Sequence, residues 1–377
     1  MSKSPVQHHS SDAVSGFSRR QRKSTDMDLD IALLLTIDGV ATGAIYVLIA
    51  LGIVLIFSVT RVIFVPFGDL AAMSALTLAM MQIGRVPGAV WVVAGLSLCA
   101  LAIECIDLLR RRNVAGIPRA LLLYGVLPML PVVAVLLVGT MKLPMLVQML
   151  LALALITPMA PLIERIVFRP LANASVLVLL IVAVATHFAL SGLALMAFGP
   201  EGFRTQQLAE GNVSVAGVVI SVQAILVVAA AIVFGGLLYL YFEKTMSGKA
   251  LRASAINPTG ARIVGISTAR TGTIAYTLGS LLGAISGLLI GPMATLYYDS
   301  GFLIGLKAFI GAIIGGMASY PLTAAGAIFV GVLESFGSFW SSTLKDTIVF
   351  SALIPILIWR SLMSDTHESE EEEEEIA

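Results

Sequence analysis

EKTMSGKALRASAINPTGARIVGISTAR, residues 243–270, is a long polar interruption between two strongly apolar segments. It carries Lys244, Lys249, Arg252, Arg262 and Arg270 against a single acid, Glu243. In a chain that crosses a membrane, a basic connection of this length belongs on the cytoplasmic side. Its internal pattern is too ordered for a tether. Residues 248–255 read as helical, Asn257-Pro258 reads as the N-cap and first residue of a second short helix, and that helix ends near Gly265. Leu251, Ile256, Ile263 and Val264 supply an apolar stripe flanked by arginines. Two such helices either lie flat at the membrane interface or insert as a knob into a partner's groove.

The flanking segments set the class. The chain has 377 residues, 58% of them hydrophobic and 12% charged, with a mean hydropathy of +0.96, where soluble domains are about a quarter charged. The apolar excess comes in runs of about 20 residues, the length that crosses a hydrocarbon core of about 30 Å. No short period-2 segments of the kind that build a membrane barrel are present. The expected fold is therefore all-α, a polytopic helical membrane protein. Spans are predicted near 31–59, 62–83, 87–109, 117–139, 143–163, 175–198, 214–241, 268–291, 303–319, 322–340 and 346–361, about 9–11 in all, with one broken or re-entrant.

The formal net charge of zero hides an asymmetry. Residues 364–377 hold eight acids and no Lys or Arg, and without them 23 bases stand against 15 acids. That tail has almost nothing to bury and repels itself, so it reads as a disordered, solvated segment. Residues 1–29 form a polar N-terminal tail with Arg19, Arg20, Arg22 and Lys23, and 30–363 is the membrane domain. The first apolar run is too long for a signal-peptide core and is read as a retained span. Cys99 and Cys105, six apart in one apolar run, form no disulfide framework.

With 243–270 inside, alternation puts the arginines of 110–119 and 164–174 inside as well, as the positive-inside rule asks. The basic N-terminal tail then falls outside, three crossings away from 110–119. Either a break at Pro66–Gly68 makes the 62–83 segment re-entrant, which such backbone can be where it lines a protein interior, or the tail is external.

Gly279, Gly283 and Gly287 lie at i, i+4 and i+8, so they share one helix face. Close helix packing explains that spacing; a path lined by small residues is the other reading. Ionisable groups within spans are few, and each is a functional candidate by default because burial in lipid is costly. Asp69 follows the Pro66–Gly68 break, and Lys307 and Glu334 sit in the last spans, where mutual pairing or snorkelling explains them equally well. Asp38 falls near an interface, Glu104 and Asp107 lie beside an arginine cluster, and His187 reads as a hydrogen-bonded packing histidine.

Several chemistries are excluded. The one Ser-Gly-Lys, at 247–249, has Glu243 where a P-loop needs glycine and Ala250 where it needs Ser or Thr. Gly283-Ala-Ile-Ser286-Gly has one residue too many for an intramembrane serine protease motif, and no metal-ligand cluster is evident. No enzymatic activity is expected of this chain.

Four stretches in order give a resemblance. They are GAIYVLIALG at 43–52 with Arg61 and GDL at 68–70; LIERIVFRPL at 162–171; GKALRA at 248–253 with ARIVGI at 261–266; and GLKAF at 305–309 with Gly315-Gly316 and GVLE at 331–334. Together they resemble the permease subunits of branched-chain amino acid ABC importers, over about 31–83 and 143–361. The resemblance implies an inner-membrane transport subunit for branched-chain or related amino acids, with urea or other small amides as the alternative cargo. It implies cytoplasmic ATP-binding subunits, a second permease (another chain or a second copy), an external solute-binding protein and membrane lipid as partners, and no nucleic acid. ATP and Mg would be held by the partner ATPase, with no cofactor on this chain.

On that resemblance the 243–270 segment is the coupling element that docks the ATPase, through Lys249, Leu251, Arg252, Asn257, Pro258, Arg262 and Gly265. Phe64, Pro66, Phe67, Gly68, Asp69, Lys307 and Glu334 are the candidates for the translocation path. Two departures stand out. Where the family has Asn-Phe-Ala-His before Gly-Asp, this chain has Phe64, Val65, Pro66 and Phe67, so the substrate does not carry over with the motif. Residues 84–142, with two spans, look like an insertion that pads the periphery. A self-sufficient carrier or channel using Asp69, Glu334 and Lys307 is the reading from another class.

Overall fold

The computed structural model describes residues 10–352 apart from 113, 173, 216 and 217, together with 354–356 and 358. The acidic 364–377 segment and residues 1–9 lie outside the described residues. The long helices are α1 (Ser10–Thr60, apolar from Ile31), α3 (Ala89–Arg110), α4 (Ile117–Val138), α5 (Met145–Leu171), α6 (Val176–Phe198), α7 (Val222–Lys244), α10 (Thr268–Ile290) and α12 (Tyr320–Trp340). Between them lie α2 (Phe67–Gln82), the short pair α8 (Met246–Ile256) and α9 (Pro258–Ile263), and α11 (Ser300–Ile314), with α13 (Lys345–Ser351) closing the series. An antiparallel hairpin, β1 (Asn212–Val215) with β2 (Val218–Ser221), pairs Asn212 with Ser221.

Eight of these helices among the described residues are long and apolar enough to span a membrane. The protein is thus an all-α polytopic membrane protein. The shorter α2 also runs between the two faces, as its end contacts show. Arg61, just before α2, donates from Nη2 to the Ala255 carbonyl of α8 at 3.4 Å, whereas Gln82 at the far end of α2 accepts from the Gln206 amide at 2.9 Å. The 200s loop belongs to the opposite face, where Phe203 and Leu296 form a β-bridge and Arg204 Nε donates to the Pro292 carbonyl at 2.9 Å.

The 62–83 span is broken, as expected, with a non-helical lead over 61–66 and a helix only from Phe67. Pro66 occupies the N-cap position at φ −65°, and the Asp69 amide bonds back to its carbonyl. The break leaves this segment a full crossing, so parity is not repaired there. Asp38, near the start of the apolar part of α1, lies on the face opposite α8, beside Arg204 and Pro292.

Two boundaries differ from expectation for clear reasons. The span read as 214–241 begins at Val222, because the preceding residues pair as the hairpin and Ser221 caps the helix by accepting from the Ala224 amide. The loop expected at 164–174 is instead largely the end of α5, which turns at Pro158 and is π-helical over Glu164–Phe168. Arg165 can stay inside the helix, buried, because its guanidinium is held by Glu104 and by Asp107 (2.6 Å), both from α3. These carboxylates therefore meet an arginine from another helix rather than the neighbouring 110–112 cluster.

The centre of the bundle is α1, α2 and α10. In its most apolar window α1 is 83% buried, against 17% for α4, so the outer helices present their apolar chains to lipid. Glycines set the closest crossings. Gly39 and Gly43 of α1 meet the α12 backbone at Val332 and Ile328, where an added Cβ would stand 2.5 and 2.7 Å away. Such interfaces gain from van der Waals packing rather than from apolar transfer, since lipid is itself apolar.

Candidate functional site

On the basic face, α8 and α9 form a capped unit. Thr245 Oγ1 accepts from the Gly248 amide at 2.9 Å, and Asn257 Oδ1 accepts from the Gly260 amide at 2.8 Å, which makes Asn257 the N-cap of α9 with Pro258 at its first position. Each such cap contributes about 1 kcal/mol. Gly265 leaves α9 at φ +88°, a conformation that favours glycine. Gly248 packs against the end of α7, and the Thr271 hydroxyl donates to Ser254 Oγ at 3.2 Å, which ties α8 to the first turn of α10.

The apolar stripe expected here divides in two. Leu251 is fully buried and anchors α8, lining a ≈380 Å³ cavity with Arg61, Phe242 and Tyr320. Ile256, Ile263 and Val264 are 77, 81 and 74% exposed. Around them Lys249, Arg252 and Arg262 are exposed. Arg61 closes α1 in the left-handed region at φ 59°, with its amide on the Phe57 carbonyl, and reaches α8 through its guanidinium. α8 thus contacts the ends of α1, α7 and α10.

In the middle of the bundle Phe64 and Phe67 are buried and tightly packed. The Phe64 ring stands edge-on to Tyr276 (5.2 Å) and Phe168 (5.7 Å). Phe67 sits over Gly52 of α1 and against Gly279 and Gly283 of α10, where an added Cβ would be 3.2 and 3.0 Å from its ring. The glycine row is thus a seat for an aromatic ring, and Gly287 continues it against the Ala71 backbone. Gly68 lies against Gly301 and Gly305 of α11. Asp69, one residue on, faces His187 of α6, with Oδ2 and Nδ1 2.7 Å apart, and the His187 ring stacks on Phe302 at 4.7 Å. His187 is hydrogen-bonded and packed, as read from the sequence, but its partner is a path candidate.

On the opposite face a ≈520 Å³ cavity is lined by Asp38, Arg204, Lys307, Glu334, Lys345 and Asp346 among others. Lys307 is nearly buried and bridges Glu334 at 2.5 Å and Asp346 at 2.8 Å, and the Tyr46 hydroxyl donates to Glu334 at 2.6 Å. Lys307 and Glu334 come together, but they do not join Asp69. Tyr46 and Asp346 were missed by the sequence reading. A hydroxyl inside the otherwise apolar 43–52 run was the available signal for Tyr46. Among the described residues no group of three His, Cys, Asp or Glu is placed to hold a metal ion.

Comparison with known proteins adds an independent line. A family model described as the permease component of branched-chain amino acid transport systems matches residues 35–358. The high-affinity branched-chain amino acid transport system permease protein BraD of Pseudomonas aeruginosa is 31% identical over 207 residues, 52% of this chain and 67% of that protein. LivH of Escherichia coli K12, of the same description, is 28% identical over 206 residues, 52% of this chain and 66% of that protein. The probable permease LivH of Methanocaldococcus jannaschii is 30% identical over 123 residues, 32% of this chain and 39% of that protein. The match thus spans about two thirds of the length of the first two relatives and about two fifths of the third. No solved structure matches it significantly.

Proposed function

This chain belongs to the branched-chain amino acid transport permease family, and from that premise we propose that it is the membrane subunit of an ATP-driven importer for branched-chain or related amino acids. It is a multi-pass protein of the bacterial cytoplasmic membrane. The observation that carries the coupling claim is the α8–α9 unit, a doubly capped pair of helices with Ile256, Ile263 and Val264 exposed along with the basic side chains of Lys249, Arg252 and Arg262. An apolar centre with a charged rim suits a partner groove. The partner is a cytoplasmic ATPase, which holds ATP and Mg. Closure of that ATPase moves α8, and α8 moves the ends of α1 and α10 as a rigid-body change. A second permease and an external solute-binding protein complete the assembly.

In this scheme the opposite-face cavity at Lys307 and Glu334 is the outer mouth of the path, and Phe64, Pro66, Phe67, Gly68 and Asp69 are its packed, closed middle. Urea or a small amide remains the alternative cargo in the same scheme.

The test is the Arg252→Glu, Arg262→Glu double variant in the full transporter. The expected outcome is normal membrane insertion, retained ATP hydrolysis and loss of solute uptake. Unchanged uptake would remove the docking role. The Asp69–His187 pair supports a second reading, a self-sufficient carrier, for which uptake by the purified chain alone in vesicles under an ion gradient is the decisive result.

A further inference from the structure

A second surface on the basic-face side carries an independent reading. Between α4, α5 and α10 lies a ≈660 Å³ groove whose mouth is formed by Leu127, Leu130 and Leu150, all more than half exposed. The threonine hydroxyls that line it are satisfied within the protein. Thr157 and Thr277 donate to the carbonyls of Leu153 and Thr273 in their own helices, at 2.6 and 2.8 Å. The groove is therefore apolar in effect, and water has few partners in it.

Its inner end carries two arginines and one acid, Glu164, which lies 3.9 Å from Arg169 Nε and leaves the end with a net positive charge. Arg169 donates from Nη1 to the Tyr124 hydroxyl, which lines the groove, at 3.2 Å. Arg119 lies one turn before Leu123 and is exposed, with no ion pair among the described residues. This end faces the same side as α8, because Glu164 of α5 accepts from Thr273, in the second turn of α10, at 3.2 Å.

We propose that this groove binds the acyl chain of an anionic phospholipid from the cytoplasmic leaflet, with the phosphate held by Arg119 and Arg169. From Arg119 to Leu130 a helix rises about 16 Å, about half of a ~30 Å hydrocarbon core, which is the reach of one acyl chain. Positive-inside bias explains arginines at this level, and here they stand at the inner end of an apolar groove; basic pockets between helices on this side suit anionic headgroups. The proposal is independent of the transport reading.

The full chain is exchanged into vesicles with equal phosphatidylglycerol and phosphatidylcholine, and the lipid retained on the monodisperse protein is read by native mass spectrometry. Phosphatidylglycerol is expected to be enriched, and Arg119→Gln to reduce the enrichment about fivefold, the effect of about 1 kcal/mol per arginine. Ala154→Trp fills the groove and is expected to abolish retention while leaving the arginines in place. Because the readout is a lipid ratio on folded protein, poor yield does not mimic the result. Equal retention of both lipids overturns the proposal. So does displacement of phosphatidylglycerol by glycerophosphate, or an Ala154→Trp variant that keeps its lipid but loses a protein partner.

Discussion

On the basic face, the Arg252 side chain is 54% exposed and its nearest acid, Glu243, is 46% exposed at 3.5 Å. On the opposite face, the Lys307 side chain is 6% exposed and has two carboxylates within 2.8 Å. The first arrangement leaves positive charge available to a partner and gains little from its internal pair. The second neutralises its charge within the bundle, so its loss would leave two partly exposed carboxylates, Glu334 at 13% and Asp346 at 35%, without their cation. One region uses charge to reach outward and the other to hold α11, α12 and α13 together. The comparison makes contrasting demands on mutants.

The largest effect belongs to the opposite face. Lys307→Met leaves Glu334 and Asp346 without their cation, and because both carboxylates are partly exposed the cost approaches but stays below the about 3–5 kcal/mol of breaking a fully buried pair. Thermal melting of the purified protein should fall sharply, and adding Glu334→Gln and Asp346→Asn to the same chain should recover most of the loss. A Lys307→Met protein that melts like the parent would show the cluster to be a solvated surface pair, and the contrast between the faces would fail.

A smaller but more selective effect is expected on the basic face. Ile263→Asp replaces a side chain that is 81% exposed, so folding should change by no more than about 0.5 kcal/mol. Association with the ATPase should weaken by about 2 kcal/mol or more, about 30-fold, because an apolar anchor at an interface centre carries much of its energy. Co-purification or titration of the two proteins measures it. Equal binding by the variant would return α8 and α9 to the alternative of an interfacial membrane segment.

The basic face was far more legible in the sequence than the opposite one, and the reason is range. The cap at Asn257, the exit at Gly265 and the break at Pro66 are decided by residues within a turn or two. Apolar runs likewise announce themselves locally. Arg165, by contrast, is stable inside a helix only because Glu104 stands 61 positions earlier in the chain and on the facing helix. Lys307 acquires Asp346 through the packing of α13, and Phe67 finds its seat only where Gly52 and Gly279 cross. Which charges meet is a property of helix crossings, and the periodicity of one segment does not encode it.

The smallest expected effect is the sharpest probe of the contrast. Glu243→Gln removes the acid beside Arg252 without changing shape. Both side chains are about half exposed, so their pair is worth at most about 1 kcal/mol and less at physiological salt. If Arg252 works outward, the variant should transport within about twofold of the parent, since about 0.4 kcal/mol is a factor of two at this temperature. ATPase association should hold or improve slightly, as the one acid beside the knob, at the end of α7, has been neutralised. If Glu243→Gln instead uncouples hydrolysis from uptake as fully as Arg252→Glu does, Arg252 serves an internal pair that fixes α8 against α7. The basic face would then hold itself together by charge just as the opposite face does.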